Sequence, residues 1–208
     1  MRPPLAVIAA VVAVAGCSCA AAATPPPTTK PPARLIIWAD SHGDEPTDWP
    51  AKIGCADKID AKIGWAIADQ GSIAPPPLID QIDTLAKGLR KGDRVVIALG
   101  ANDGADWQPP FADQVRDEIR DKITKRGAVD IWTTIPPTAA SYGRFDALVG
   151  PRRLAHNKWV RSLPTNHQLD LAVSLGDTLE PAEQIGDGVH LSATSQAAMA
   201  RVAKGLCR

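Results

Sequence analysis

The chain has 208 residues, and its 23 lysines and arginines are balanced by 23 aspartates and glutamates, so the formal net charge is zero. That balance, with no block of like charges, argues against a nucleic-acid-binding surface. Aromatic residues make up only 4% of the chain, yet it holds six tryptophans, several of them in expected loops.

At the N-terminus, Arg2 supplies a positive charge, Leu5 to Val14 is an apolar run, and small residues lead to Cys17. The run is too short to span a bilayer as a helix and reads as the hydrophobic part of a signal peptide. Val14-Ala15-Gly16-Cys17 resembles the lipobox of bacterial lipoproteins, in which the cysteine becomes the lipidated first residue after cleavage. Residues 1–19 are therefore expected to be a signal peptide with Cys17 as the lipidation site. The alternative is cleavage near Ala20 to Ala23. The expectation is an exported protein, a periplasmic or cell-surface lipoprotein touching a membrane only through its lipid, and otherwise a secreted one. Residues 20–33 are rich in Pro, Thr and Ala without apolar periodicity, which predicts an extended tether.

Residues 34–208, about 175 in all, are enough for one domain with a full core. Arg34 to Ala39 reads as a buried strand and Ile63 to Ala68 as a second, weaker one. Ile79, Ile82, Leu85, Ala86 and Leu89 place a helix over Leu78 to Leu89, stopped at Lys91-Gly92-Asp93. Arg94 to Leu99 is the clearest strand. Val115, Ile119 and Ile123 carry the helical period over Phe111 to Thr124. Val129 to Ile135 is the next strand, Pro151 to Leu163 a helix with proline near its start, Leu169 to Leu175 a fifth strand, and Ser192 to Leu206 a closing helix. Strands alternating with helices predict a three-layer α/β/α sandwich around a parallel, flavodoxin-like five-stranded sheet.

In such a sheet, ligands bind beyond the carboxyl ends of the strands. Ser41 follows strand one, Gly71 and Ser72 follow strand two, Asn102-Asp103 follow strand three, and Asp187 and His190 follow strand five. Asp187 and His190 are three residues apart, so on a tight turn the carboxylate can hold one ring nitrogen and leave the other for Ser41. That is the requirement for a Ser-His-Asp nucleophilic triad. Taken singly, each residue has a plainer reading: a serine after a strand as a loop or cap residue, Asn102-Asp103-Gly104 and Asp187-Gly188 as turns, His190 as structural. His156 and His167 read as surface residues. Export leaves Cys55 and Cys207 inside the domain as candidates for a disulfide, or else as two buried thiols. No Cys/His spacing suggests a metal, and no cofactor is expected.

Ala39-Asp40-Ser41-His42, Gly100-Ala101-Asn102-Asp103 and Asp187-Gly188-Val189-His190, in this order, resemble the first, third and fifth blocks of the SGNH/GDSL hydrolases. The resemblance runs from Arg34 to the end of the chain. It implies Ser41 as nucleophile, His190 as general base and Asp187 as its orienting acid. It also implies an oxyanion hole built from the Ser41 N–H, the Gly71 N–H and the Asn102 side-chain amide. Two positions depart from the family pattern: Ala39 replaces glycine, and His42 replaces an aliphatic residue. His42, pointing away from its neighbour, is expected to pack or to contact substrate rather than act as a base.

The resemblance implies an esterase acting on small acyl groups, with acetyl esters of envelope or extracellular carbohydrate as plausible substrates. Trp49 and Trp107, in loops after strands one and three, are candidates to stack on a sugar ring or else to cover the edge of the core. Two other classes stay open. Asp40-Ser41-His42-Gly43 also resembles the opening motif of calcineurin-like metallophosphoesterases, although the later metal-binding elements of that family do not follow. A catalytically inactive surface-binding lipoprotein could keep the same fold. Oligomeric state is not legible in the sequence.

Overall fold

All five residues of the first strand, β1 (Leu35–Ala39), are buried, so the strand is covered on both faces, as strands of parallel sheets are. The computed structural model describes residues 32–45, 48–68, 75–103, 107, 109–137, 143–176, 183–185, 187 and 189–207, with the backbone alone for 143–149. After β1 come a short helix α1 (Trp49–Lys52), β2 (Lys58–Ala61), α2 (Leu78–Lys87), β3 (Arg94–Ala98) and α3 (Phe111–Thr124). Then follow β4 (Val129–Thr133), α4 (Gly143–Ser162), β5 (Gln168–Leu169) and α5 (Ala193–Ala203). The five strands form one parallel sheet in the order β2-β1-β3-β4-β5.

Side-chain alternation sorts the core into two layers. Ile36, Trp38, Val95, Ile97 and Trp132 point to one face and pack against Leu78 and Ile82 of α2, Ile119 and Ile123 of α3, and Val160 of α4. Leu35, Ile37, Val96 and Ile131 point to the other, where Trp49 of α1 and Met199, Ala200 and Ala203 of α5 cover them. The expected three-layer α/β/α arrangement is therefore present.

Three elements differ from the sequence expectation. The second strand is the polar segment Lys58–Ala61, not Ile63 to Ala68. An edge strand pairs on one side only and is half solvated, so it needs no apolar run. The apolar stretch instead follows a turn at Gly64 and buries Trp65, Ala66 and Ile67 without joining the sheet. The fifth strand is two residues long and gives way to a 3-10 turn at Ala172–Ser174. Asp170 ends it: its carboxylate accepts from Thr134 Oγ1 at 2.9 Å, from the Val173 N–H, and from the Arg161 guanidinium at 2.7 Å. The fourth helix begins at Gly143, ahead of Pro151, which it carries internally.

Cys55, just before β2, and Cys207, just past α5, are joined in a disulfide with Cα atoms 5.7 Å apart, across 152 positions of sequence. Cys17, with the rest of the expected signal peptide and most of the expected tether, lies outside the described residues.

Candidate active site

The backbone around Ser41 is held by its neighbours. The Asp40 N–H donates to Ala98 O of β3 at 3.3 Å, and the Gly43 N–H closes a turn on Asp40 O at 3.0 Å. A side chain at Gly43 would collide with Pro50, since a Cβ there would lie 2.9 Å from the Pro50 ring, so α1 packs directly on this turn. Just past β3, Gly100 has φ +122, a conformation other residues avoid, and a Cβ there would lie 2.8 Å from Ile135. Both glycines let the chain turn sharply at the sheet edge where Ser41 emerges.

On the other side of the site, residues 183–192 fold back on themselves. An isolated antiparallel bridge links Gln184 and Leu191, with hydrogen bonds from Ile185 N to His190 O and from Ser192 N to Glu183 O. At its end, Asp187 Oδ1 accepts from the backbone N–H of Val189 at 2.9 Å and of His190 at 2.8 Å. Its Oδ2 meets His190 Nδ1 at 2.5 Å, and His190 Nε2 faces Ser41 Oγ at 3.0 Å. Three residues drawn from positions 149 apart thus form one continuous chain of hydrogen bonds. Burial nudges the Asp187 carboxyl upward, but the His190 ring and the two N–H donors outweigh it and hold the group at about 2. The acid is therefore ionised at neutral pH and can fix the ring as the Nδ1–H tautomer, leaving Nε2 free to accept the serine proton.

The remaining predicted residues fall in different places. Asn102 stands at the same sheet edge, where its side-chain amide donates to Trp65 O at 3.2 Å. Gly71 lies outside the described residues. Trp49 and Trp107 are corrected: they are 1% and 2% exposed and belong to the two cores, so neither offers a face to a sugar. Trp107 lies against Phe111 and the Arg116 guanidinium. His156, expected at the surface, is fully buried between Thr133 O and Arg116, and burial pushes it down to about 3.

His42 packs rather than reaching Ser41. It is 8% exposed, its ring centroid lies 5.5 Å from that of His190, and its Nδ1 has no partner among the described residues. Burial, then the neighbouring His190, push it down to about 4.

Gln196 carried no signal in the sequence, and Asp103 stood out there only as the last residue of the third block. Gln196 of α5 ties the Ser41 turn and the start of α1 to α5, accepting from Trp49 N at 2.9 Å and donating to His42 O at 3.3 Å. Asp103 gathers the backbone N–H groups of Ile67 and Ala68, which fixes the segment leading toward Gly71.

Asp40 is 2% exposed, and its carboxylate accepts from His42 N at 3.0 Å. Burial raises it from 3.8 to about 7. An acid raised in this way keeps its proton longer in the fold than in the unfolded chain, so its contribution to stability falls as pH rises between those two values. His42 and His156, lowered by burial, act in the opposite sense, destabilising as pH falls below 6.5. Comparing Asp40→Asn with the parent isolates the carboxyl, because both proteins keep the histidines. The variant retains an oxygen for the His42 N–H and should gain on the parent by a few kcal/mol as pH rises from about 4 to about 7.5. Urea titrations at the two ends measure this, and a constant difference would mean that Asp40 titrates normally.

No protein-family model matches the sequence, and no curated protein matches it. Solved structures do. A member of the lipolytic protein G-D-S-L family from Veillonella parvula superposes with a TM-score of 0.60 at 13% identity, covering 84% of this chain and 98% of that one. A carbohydrate acetylesterase family member from Sinorhizobium meliloti gives 0.60 at 16% identity, covering 84% and 97%. This chain has the G-D-S-L hydrolase fold. A psychrotrophic esterase from Pseudoalteromonas, solved after inhibition by a monoethylphosphonate, gives 0.54 at 13% identity, covering 81% and 93%. These likenesses span nearly the whole length of each neighbour.

Proposed function

We propose that the chain is a serine esterase that hydrolyses small acyl esters, acetyl esters foremost. The observation that carries this reading is the 3.0 Å approach of Ser41 Oγ to His190 Nε2, with Nδ1 of the same ring held by Asp187. The fold supports it, being shared with solved esterases and an acetylesterase family member. Ser41 Oγ attacks the acyl carbonyl as His190 Nε2 takes its proton, and the imidazolium returns that proton to the departing alcohol. Water, deprotonated by the same nitrogen, then attacks the acyl-serine and releases the acid.

The developing oxyanion needs fixed neutral donors. We assign these to the Ser41 N–H, the Gly71 N–H and the Asn102 amide, which has a second N–H beyond the one given to Trp65. O-acetylated envelope or extracellular carbohydrate remains the proposed natural substrate, with Cys17 as the proposed lipid anchor of an exported protein. The metallophosphoesterase reading has little to stand on, because among the described residues no group of three or more His, Cys, Asp or Glu side chains is placed to hold a metal ion.

A fluorophosphonate probe tests the reading directly: peptide mass spectrometry should find the adduct on Ser41. Labelling at another serine, or at none, would sink it. Asn102→Ala should lower kcat on p-nitrophenyl acetate by about 100-fold or more with little change in KM, as loss of an oxyanion donor does. A rise in KM alone would place Asn102 in substrate binding instead.

A further inference from the structure

A groove of about 420 Å³ opens at Ser41 and His190, and its charge is one-sided. Asp44, Glu45 and Asp48 line it, and no lysine or arginine is among its described lining residues. The stretches beside these walls in sequence that lie outside the description, 46–47, 69–74, 177–182, 186 and 188, hold no lysine or arginine either. Lys62, beside the lining residue Ile63, is turned away: its Nζ bonds Gln81 Oε1 at 3.0 Å and lies 4.0 Å from the Trp65 ring centroid. Some exposed carboxylates elsewhere on this chain meet cations, as Asp83 meets Lys122 and Asp121 meets Lys125. None of the ion pairs among the described residues engages the three groove carboxylates.

The groove is also apolar. Ile63 and Ile185, 72% and 67% exposed, stand at its walls. Large aliphatic side chains left uncovered beside unpaired carboxylates match a ligand that is cationic and greasy at once, such as an ammonium carrying methyl or methylene groups. An anion entering the same space meets only like charge among the described lining residues, with low-dielectric walls concentrating the field.

Resting on the esterase reading above, we infer that this site selects esters whose alcohol half carries an alkylammonium group, and disfavours anionic esters. The charge belongs to the alcohol because a small acyl group has no room for one. His42 does not offset the carboxylates at neutral pH, since burial keeps its ring uncharged there. Asp48 is 7% exposed and also accepts from Glu45 N at 3.1 Å, so it shapes the wall, while Asp44 and the exposed Glu45 are the charges within reach of a substrate.

The test compares three acetates on the full chain: acetylcholine, its uncharged carbon isostere 3,3-dimethylbutyl acetate, and 3-sulfopropyl acetate. At low salt, kcat/KM for acetylcholine should exceed that for the isostere by about 10-fold, with the sulfonate trailing the isostere, and both gaps should narrow as salt rises. In Asp44→Asn/Glu45→Gln the acetylcholine-to-isostere ratio should drop to about one. If the double variant does not fold, Glu45→Gln alone, at an exposed position, should lower the ratio by about 3-fold. Turnover of the neutral isostere with no preference for charge, or a preference that survives both variants, overturns this inference and leaves the esterase reading standing. Failure to hydrolyse any of the three overturns both.

Discussion

Ser41→Ala should reduce turnover of p-nitrophenyl acetate by about 10⁴-fold or more, because the remaining donors can polarise a carbonyl but nothing is left to attack it. Ser41 is half-buried, and beyond the contact with His190 its side chain holds nothing together, so thermal melting should hardly move. The three residues act as one unit, which gives a sharper form of the same expectation. Ser41→Ala/His190→Ala should be no slower than either single variant, whereas independent contributions would multiply. Steady-state rates on the two single variants and the double one measure this. Residual activity within about tenfold of the parent would show that the nucleophile lies elsewhere, and an inactive parent would favour a surface-binding role for the fold.

Breaking the Cys55–Cys207 link should have the largest effect on stability. The bond closes a loop across 152 positions, almost the whole folded domain. Loop-closure entropy for a ring of that size is about 5 kcal/mol at room temperature. For a domain of this size, each kcal/mol shifts the melting point by about 2–4 °C, so Cys55→Ser/Cys207→Ser should melt ten degrees or more below the parent. The loss should appear in guanidinium unfolding of the oxidised parent against the reduced one, while activity at low temperature is retained. The bond ties the end of α5 to the loop ahead of the edge strand and does not touch the reacting atoms. Identical curves with and without reductant would mean that the crosslink does not form in solution.

What could be read from the sequence followed burial symmetry. β1 and β3 announced themselves as continuous apolar runs, being covered on two sides, and α3 by its helical period, being covered on one. β2 did not, because an edge strand is half wet and Lys58-Ile59-Asp60-Ala61 carries no apolar run, while the nearby Trp65-Ala66-Ile67 fills the core without pairing. The short β5 was obscured in a different way: Leu171, Ala172 and Leu175 are buried in a 3-10 turn that shares a strand's composition. Within the site, the Asp187-to-His190 spacing was visible because a three-residue turn is local chemistry. The approach of Ser41 was visible only through strand order, which sends every candidate to one edge. Trp49 and Trp107 misled for a simple reason: lying between elements says nothing about depth, and both indoles are core. The acidic wall of the groove was equally invisible, since Asp44, Glu45 and Asp48 look like an ordinary solvated loop until Ile63 and Ile185 are seen beside them.

The acid and base of the site lie together between the arms of the Gln184–Leu191 bridge, whereas the nucleophile follows directly on a strand of the central sheet. Moving the acid and base away from the serine would strain the arm that Leu191 anchors in the layer under α5. The same residue that helps close a hydrophobic layer therefore also holds the imidazole in register with its nucleophile, so packing and catalysis share one anchor at this edge.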